Sequence, residues 1–370
     1  MHKKKILHII TSLGDGGAEG VLYRLISEST GEFIHEVVVL SVDKKYEKLL
    51  KLKKIKVYNI NLSKNKIEIT KLFRLYKIIK QKKDYIIQTW LYHADFLGGL
   101  LGYISGNRNI YWNVRTSEIS FKSTKIRTLI VILLNAVLSW IIPKKIIICS
   151  KNSINVHKAI GYKNKFELIH NGFDPKIYLP KKNFKRKKFN LKNNQIVIGN
   201  VARFHKVKNH NYLFSIFEKV KNTPNLRLVL VGTGMNKNNI TLMKMIRNYK
   251  LQNKVILLDK RNDVFHIYKL FDIFILTSFS EGFPNVLAEA MMNKNICLST
   301  NVGDSSLILN NKKFIIPKNN VKKSAQILKE LILKKNNSKW KKIKEKNKIH
   351  IIKNFSLIKM VSKYSNVWNS

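Results

Sequence analysis

The strongest constraint in this sequence is an alternation. Short runs rich in Ile, Val and Leu recur along the chain, and stretches with helical spacing separate them. KILHII, HEVVVL, KVYNI, YIIQTW, NIYWNV, KIIICS and FELI read as strands, with segments such as Ala18–Ser29 and Ile67–Gln81 reading as helices between them. After Gly172 the pattern gives way to a lysine-rich, weakly apolar stretch, DPKIYLPKKNFKRKKFNLKNN. It restarts with QIVIGNVA, LRLVLVG, KVILLD, DIFILTS, NICLST and KFII. Strands separated by helices mean parallel βαβ units. Two such series predict an α/β protein of two doubly wound domains facing across a cleft. The expected boundaries are 1–172 for the first domain, 173–194 for a linker and 195–350 for the second domain. Residues 351–370 are expected to form a C-terminal helix that packs back toward the first domain. A chain of 370 residues is long enough for two domains at about 150 residues each. In such sheets ligands bind at the carboxyl ends of the strands, so the loops that follow strands are the places to search.

Composition sets the second bound. Seventy Lys and Arg against 22 Asp and Glu give a formal charge of +48, while the hydrophobic share, 45 %, is that of a folded chain. Only ten of the cations are Arg. Lys, Ile and Asn are abundant together, as in a genome poor in G and C, so composition drift accounts for part of the charge. The rest favours anionic partners: nucleic acid, anionic lipid or a phosphorylated substrate. The basic runs YLPKKNFKRKKFNLKNN and KWKKIKEKNKIH lack the Arg and aromatic interleaving of nucleic-acid binders, and no nucleic-acid partner is expected.

The two cysteines, Cys149 and Cys297, close apolar runs as small buried residues do, so no disulfide framework or zinc site is expected. The N-terminal apolar stretch, Ile6 to Ile10, is too short for a signal-peptide core. Thr128 to Ile142 is the one candidate membrane segment, and it falls short of the ~20 residues that span a bilayer. Ile126, Leu129, Ile130, Leu133, Val137 and Ile141 share a helical stripe, but the opposite face is also largely apolar. The first reading is a helix buried in a domain core. The second is a helix that meets a membrane surface, since Lys122, Lys125, Arg127, Lys144 and Lys145 flank it.

Three loops carry candidate chemistry. The first strand is followed by Gly14-Asp15-Gly16-Gly17, where glycines allow positive φ and close approach of a ligand to a helix start; a plain tight turn is the competing reading. The strand QIVIGNVA is followed by Arg203 and Lys208, a guanidinium fork and a point charge that together suit a diphosphate. The most informative stretch is Glu281-Gly282-Phe283-Pro284-Asn285-Val286-Leu287-Ala288-Glu289. Pro284 suits a first helical turn, which leaves the amides of Asn285 to Leu287 free to meet an anion. Glu281 and Glu289 are placed to accept hydrogen bonds from sugar or ribose hydroxyls. The bland alternative is one helix N-terminal Glu and one exposed Glu.

Together these residues resemble the retaining nucleotide-sugar glycosyltransferases of family 4. Glu281 and Glu289 form an E-x7-E arrangement, and EGFPNVLAEAM is close to that family's signature. SLGDGGAEGVL, HNGFD, VARFHKVKNH and LLDKRNDV resemble its first loop, interdomain element, diphosphate loop and base-contacting segment. The resemblance implies a GT-B fold, two Rossmann-like domains with the donor bound mostly by the second. It implies that Arg203 and Lys208 stabilise the departing diphosphate, that Glu289 binds the ribose and that Glu281 binds the donor sugar. Gly282, Phe283, Pro284, Asn285, Val286 and Leu287 would meet sugar and phosphates, Arg261 and Asn262 would lie near the base, and Gly16 and Gly17 would approach the diphosphate. His93, in WLYHADFLGGL, matches a position near donor sugar and acceptor; a lone structural histidine is the alternative. Two departures stand out: Lys294-Asn295-Ile296 where the family has Gly-x-Pro, and Gly303-Asp304 where many members have Gly-Gly.

The expected reaction is retaining transfer of a sugar from a nucleotide-diphosphate sugar, UDP-linked hexose or N-acetylhexosamine, without a metal or other cofactor. No Asp-x-Asp stands at a strand end, so cationic side chains would replace a divalent ion. The expected acceptor is a glycan or polyprenyl-diphosphate-linked glycan, which puts the protein on the inner face of a bacterial cytoplasmic membrane, against anionic lipid. A nucleotide-sugar epimerase on the same fold is the alternative.

Overall fold

A computed structural model describes residues 3–42, 45–63, 68–116, 119, 124–178, 185–334 and 338–370. The chain divides into two compact units, Met1–Gly172 with Leu357–Ser370, and Phe173–Ser356. The first unit holds strands β1 (Lys4–Ile10), β2 (Phe33–Val39), β3 (Lys56–Asn59), β4 (Ile86–Trp90), β5 (Ile110–Val114), β6 (Lys145–Ile148) and β7 (Phe166–Leu168). The second holds β8 (Ile196–Val201), β9 (Leu226–Val231), β10 (Val255–Leu257), β11 (Ile273–Leu276), β12 (Ile296–Thr300) and β13 (Ile315–Ile316). Every run read as a strand forms one.

The first-unit helices are α1 (Gly17–Ser29), α2 (Lys45–Leu52), α3 (Ile69–Lys80), α4 (Tyr92–Ile104), α5 (Ile126–Leu138) and α6 (Lys151–Ala159). The second unit has α7 (His210–Glu218), α8 (Ile240–Asn248), α9 (Val264–Ile267), α10 (Asn285–Met292), α11 (Ser305–Leu309), α12 (Val321–Leu333) and α13 (Ser338–Asn354). The chain ends in α14 (Leu357–Asn369). Ile67 and Lys122, named in the sequence reading, lie outside the described residues.

Both sheets are parallel, with orders β3-β2-β1-β4-β5-β6-β7 and β10-β9-β8-β11-β12-β13. A parallel sheet is buried on both faces, which explains strands that are apolar throughout. In β1, Ile6 and Ile10 face a core with Leu22, Leu25 and Ile26 of α1 and Met360, Tyr364 and Trp368 of α14. Leu7 and Ile9 face the other core, with Leu75 and Ile79 of α3 and Ile132 and Ala136 of α5. This is the two-residue period of a strand, apolar at both phases.

Three expectations need correction. Residues 351–370 do not form one helix: α13 ends at Asn354, α14 begins at Leu357, and they count with different units. The described part of 173–194 is built into the second unit instead of hanging as a linker; Arg186 there donates to Gln195 O at 2.9 Å, Leu270 O at 2.8 Å and Asp272 Oδ2 at 2.9 Å. Third, α5 is not a helix buried all round. Ile132, Asn135 and Ala136 are buried, whereas Ile126, Ile130, Leu133 and Val137 are exposed. The apolar stripe read from the sequence is largely the solvent side of the helix.

Beneath α1 and α14 runs a hydrogen-bond chain whose direction is fixed at both ends. Trp90 Nε1 can only donate, and it lies 3.2 Å from His8 Nδ1. His8 Nε2 is 3.0 Å from His35 Nδ1, His35 Nε2 is 2.9 Å from Ser29 Oγ, and Ser29 Oγ donates to Leu25 O at 2.7 Å. With a donor at one end and a carbonyl at the other, each imidazole carries its single proton on Nε2. Burial holds His8 far below the ordinary histidine range and His35 at about 4; the neighbouring His35 depresses His8 further. An added proton would oppose N–H to N–H and break the chain.

Because the folded values are depressed, the unfolded chain binds more protons between about pH 4 and 6.5, and stability rises with pH across that window. Denaturant unfolding followed by Trp fluorescence is therefore expected to give a constant free energy above pH 7 and a falling one below 6.5. The slope is about 1.4 kcal/mol per pH unit for each imidazole. A free energy unchanged down to pH 5 would contradict the neutral chain.

Candidate active site

In the second sheet the strand order reverses between β8 and β11. The connections from these two strands leave in opposite directions, and the crevice at their carboxyl ends is where open α/β sheets bind ligands. The Arg203–Lys208 loop follows β8, and the Glu281 loop follows β11. The two loops are tied together: Phe279 N donates to Val207 O at 2.8 Å, and Thr277 Oγ1 to Lys208 O and Asn209 O at 3.2 Å. Residues distant in sequence thus share one site.

The Lys208 ammonium sits 2.6 Å from Glu281 Oε1, which also accepts from Ser278 Oγ at 2.6 Å. The sequence reading gave these residues separate duties; the fold makes them an ion pair, both side chains largely buried. The Arg203 guanidinium is exposed and makes no hydrogen bond or ion pair with any described residue. Between the cations stands His205, whose pKa is lowered by burial and then by Arg203, Lys208 and Lys206. His210, stacked on Phe204 at 5.6 Å, is pushed down to about 4 by burial and by Lys208.

Helix α10 starts behind this cluster, with Pro284 at its capping position. The expectation of three available amides needs correction, because Leu287 N donates to Pro284 O at 3.0 Å. Phe283 has a larger role than its backbone: its buried ring stacks on Phe173 at 6.2 Å and meets Phe355 edge-on at 5.3 Å. Gly282 O accepts from Asp304 N at 3.2 Å. Gly303 has φ +50°, and a Cβ there would fall 2.0 Å from Gly282 O and 2.4 Å from Glu281 O. Gly303, met in the sequence as a departure, is what lets the β12 loop close on the Glu281 loop. Gly232 does the same behind Arg203: with φ +138°, its Cβ would lie 2.2 Å from Ala202 O. A glycine directly after an apolar strand was the available signal, and the sequence reading did not use it.

Glu289, one turn into α10, accepts a 2.8 Å hydrogen bond from the Tyr268 hydroxyl. Burial, then the Glu289 charge, raise the Tyr268 pKa well above its ordinary value, so it stays a donor. The Lys294-Asn295 turn is sound without the family's glycine: Lys294 takes a left-handed φ of +61°, and buried Asn295 donates to Tyr268 O at 3.0 Å and Phe271 O at 2.9 Å. Arg261 forks onto Asp263 at 2.7 and 2.9 Å and lies 5.3 Å over Phe189. These residues line an open cavity of about 510 Å³ with Lys188, Asn190 and Ile256 to Leu258, and neither Lys208, Glu281 nor Glu289 lines it. Asn262 is exposed.

The first unit repeats the arrangement, with its strand order reversing between β1 and β4. Gly16 and Gly17 follow β1. Gly16 caps α1 at φ −101°, and none of Gly14, Gly16 and Gly17 has positive φ, which corrects the reason given for them. Gly16 sits close to a carboxylate: a Cβ would lie 2.1 Å from Glu19 Oε2 and displace that buried side chain, which accepts from Ser12 Oγ at 2.8 Å. His93 follows β4, half-buried, and burial lowers its pKa, so it is neutral at pH 7. Just before it Leu91 adopts φ +72°, ψ 154°, a strained backbone of the kind that concentrates at functional sites. Asp95, which the sequence reading passed over, is fully buried; burial pushes its carboxyl up to about 7, against hydrogen bonds from Thr89 Oγ1 at 2.5 Å and Asn113 N at 3.3 Å. Its signal was a lone acid in the apolar HADFLGG run. Among the described residues no group of three or more His, Cys, Asp or Glu side chains comes together.

The chain is also similar to known proteins. Residues 181–356 match the family described as Glycosyl transferases group 1. The chain is 27 % identical to a UDP-Gal:alpha-D-GlcNAc-diphosphoundecaprenol alpha-1,3-galactosyltransferase of Escherichia coli, over 84 % of this chain and 81 % of that one. It is 24 % identical to the capsular polysaccharide biosynthesis glycosyltransferase CapH of Staphylococcus aureus, over 82 % of each. Among solved structures, Anabaena HepE in complex with UDP superposes with a TM-score of 0.84 at 20 % identity, covering 99 % of both chains. The fold is GT-B, and the protein is a glycosyltransferase.

Gly303→Ala tests the closure of the β12 loop. A methyl group there meets two carbonyl oxygens at a φ that favours glycine. The variant is expected to lose more than about 1 kcal/mol of stability in denaturant unfolding. A wild-type value would remove the need for glycine at this closure.

Proposed function

We propose that the protein is a retaining, metal-independent glycosyltransferase of family 4. It moves a sugar from a UDP-linked hexose or N-acetylhexosamine to a lipid-linked or polysaccharide acceptor in cell-surface glycan assembly. The observation that carries this reading is the Lys208–Glu281 ion pair between the loops that follow β8 and β11, with Arg203 on the first of those loops and α10 following the second. Donor-type cations, a hydroxyl-accepting carboxylate and helix amides in one place suit a sugar diphosphate.

In this reading the diphosphate takes Arg203 as its forked partner and draws Lys208 from Glu281. Glu281, still held by Ser278, then turns its carboxylate to sugar hydroxyls. Glu289, oriented by Tyr268, receives the ribose, and the Arg261–Asn262 segment borders the base. The bond from the anomeric carbon to the diphosphate oxygen breaks as the acceptor oxygen bonds to the same face of that carbon. The acceptor proton passes to the departing phosphate oxygen. Arg203 and Lys208 stabilise the charge that develops there, the duty a divalent ion has in other transferases. Gly16, Gly17 and His93 belong to the first unit; a neutral His93 can accept a hydrogen bond from a sugar hydroxyl. The E. coli relative is named for a diphosphoundecaprenol-linked acceptor, which supports a polyprenyl-diphosphate-linked glycan here and work at the inner face of the cytoplasmic membrane. In this reading the association is peripheral; no helix among the described residues is long and apolar enough to cross a membrane.

Thermal stabilisation by a panel of UDP- and GDP-sugars is the first experiment; no shift with any of them would overturn the donor assignment. Arg203→Ala is expected to lower kcat about 10²-fold or more while donor affinity changes far less. Intact turnover in that variant would remove the diphosphate role. Glu289→Ala is expected to weaken UDP binding in calorimetry with the fold unchanged by circular dichroism. Activity is expected to survive EDTA. Product formed from donor alone, without acceptor, would favour an epimerase.

A further inference from the structure

Helix α5 has two apolar faces, and the fold uses one of them. Ile132 and Ala136 enter the core of the first unit, and Asn135 Nδ2 donates to Tyr92 O at 2.9 Å, which fixes the helix rotation. On the opposite face Ile126, Ile130, Leu133 and Val137, continued past the helix end by Trp140 and Ile141, are 49 to 74 % exposed. Spacings of three and four residues make them one stripe. Its ends are framed by cations: Lys125 and Arg127 at the start, Lys144, Lys163 and Lys165 at the finish. The Lys163 ammonium lies 4.0 Å over the Trp140 ring, and Lys165 Nζ donates to Trp140 O at 3.1 Å and Pro143 O at 3.0 Å. Glu167 lies 4.0 Å from Lys145 at this edge.

We propose that this face is the surface by which the protein docks on an anionic lipid bilayer, α5 lying parallel to the membrane with its outer stripe among the acyl chains and its lysines at the headgroups. The inference deepens the acceptor reading above and rests on it only for what the surface brings within reach. Charge complementarity selects the occupant. An apolar stripe bounded by cations fits acyl chains beneath negatively charged headgroups, with Trp140 at the boundary where indole rings collect. A second copy of the chain would have to set this cationic frame against its own image. The helix has 13 residues, about 20 Å, and its inner face is committed to the core, so it lies on the bilayer and does not span it.

The test is sedimentation of the full-length chain with phosphatidylcholine vesicles, with and without phosphatidylglycerol. The wild type is expected to bind the mixed vesicles, less so as salt rises, and to bind pure phosphatidylcholine far more weakly. Ile130→Ser with Val137→Ser changes only exposed side chains and is expected to lower partitioning roughly a hundredfold. Lys144→Gln is expected to lower it roughly fivefold, on the anionic vesicles alone. Unchanged binding by the Ser variant, or equal binding to both kinds of vesicle, would overturn the proposal. So would a wild-type dimer that the Ser variant dissociates, with no vesicle binding by either. UDP calorimetry on the same proteins keeps the readings apart: vesicle binding without UDP binding would defeat the donor assignment and leave the docking face standing.

Discussion

A parallel sheet whose strand order reverses cannot cover its own centre with a crossover. On either side of the reversal the chain departs in opposite directions, and the carboxyl ends of two neighbouring strands are left facing an open crevice. In the second unit these strands are β8 and β11, and the loops they launch carry Arg203, Lys208 and Glu281. The constraint is also mechanical. With Phe279 N bonded to Val207 O, and Gly232 and Gly303 passing other loops at distances that exclude a Cβ, the backbone carrying Arg203, Lys208 and Glu281 is supported from behind. Rigid backbone is what lets the Lys208 ammonium and the Glu281 carboxylate, brought from two loops, hold one ion pair.

The first unit depends on the chain's own end. Helix α14 supplies Tyr364 and Trp368, large side chains whose polar tips are satisfied inside the core. Trp368 Nε1 donates to Gln88 Oε1 at 3.0 Å, while the Tyr364 hydroxyl receives Asn113 Nδ2 at 2.7 Å and Arg115 Nη2 at 3.0 Å. Arg115 in turn donates to Asn171 Oδ1 at 2.6 Å. The last helix is thereby wired to β4, to β5 and to the segment by which the chain leaves this unit. Buried polar groups with matched partners specify one arrangement more sharply than apolar packing alone. The directed chain from Trp90 through His8, His35 and Ser29 adds a second such network on the same side of the sheet.

Much of this was legible in the sequence because it is periodic. Strand identity follows from short apolar runs, and the parallel arrangement follows from helices between them, so all thirteen strands fell where the pattern put them. Arg203, Lys208 and Glu281 were legible as residues because they follow strands, but not as an ion pair, since nothing in the chain says that the β8 and β11 loops touch. Gly16 was recognised partly for a reason the fold does not use: its φ is ordinary, and a Cβ there would have to displace the Glu19 carboxylate three residues on. Asp95 was missed because one acid beside an apolar run carries no pattern, although burial pushes its carboxyl up to about 7. The outer face of α5 was ambiguous in principle. A helix apolar on both sides has no amphipathic signal to say which side is core.

The charge of the chain acquires a meaning from that ambiguity. With 70 cations and 22 carboxylates, most lysines can have no acidic partner, and their mutual repulsion works against the compact state. A solvated lysine scattered on a surface tolerates this through screening, since salt at physiological strength limits exposed charges to about 8 Å of reach. Composition drift therefore suffices for lysines on a solvated helix face, such as those along α13. It does not suffice for α5, where cations stand at both ends of an exposed aliphatic stripe that water alone would leave unfavourably hydrated. An anionic bilayer removes both costs in a single contact, neutralising the frame and burying the stripe. The same excess charge that first suggested a polyanion in solution is better matched, at this one place in the fold, by a surface that is negative outside and apolar within.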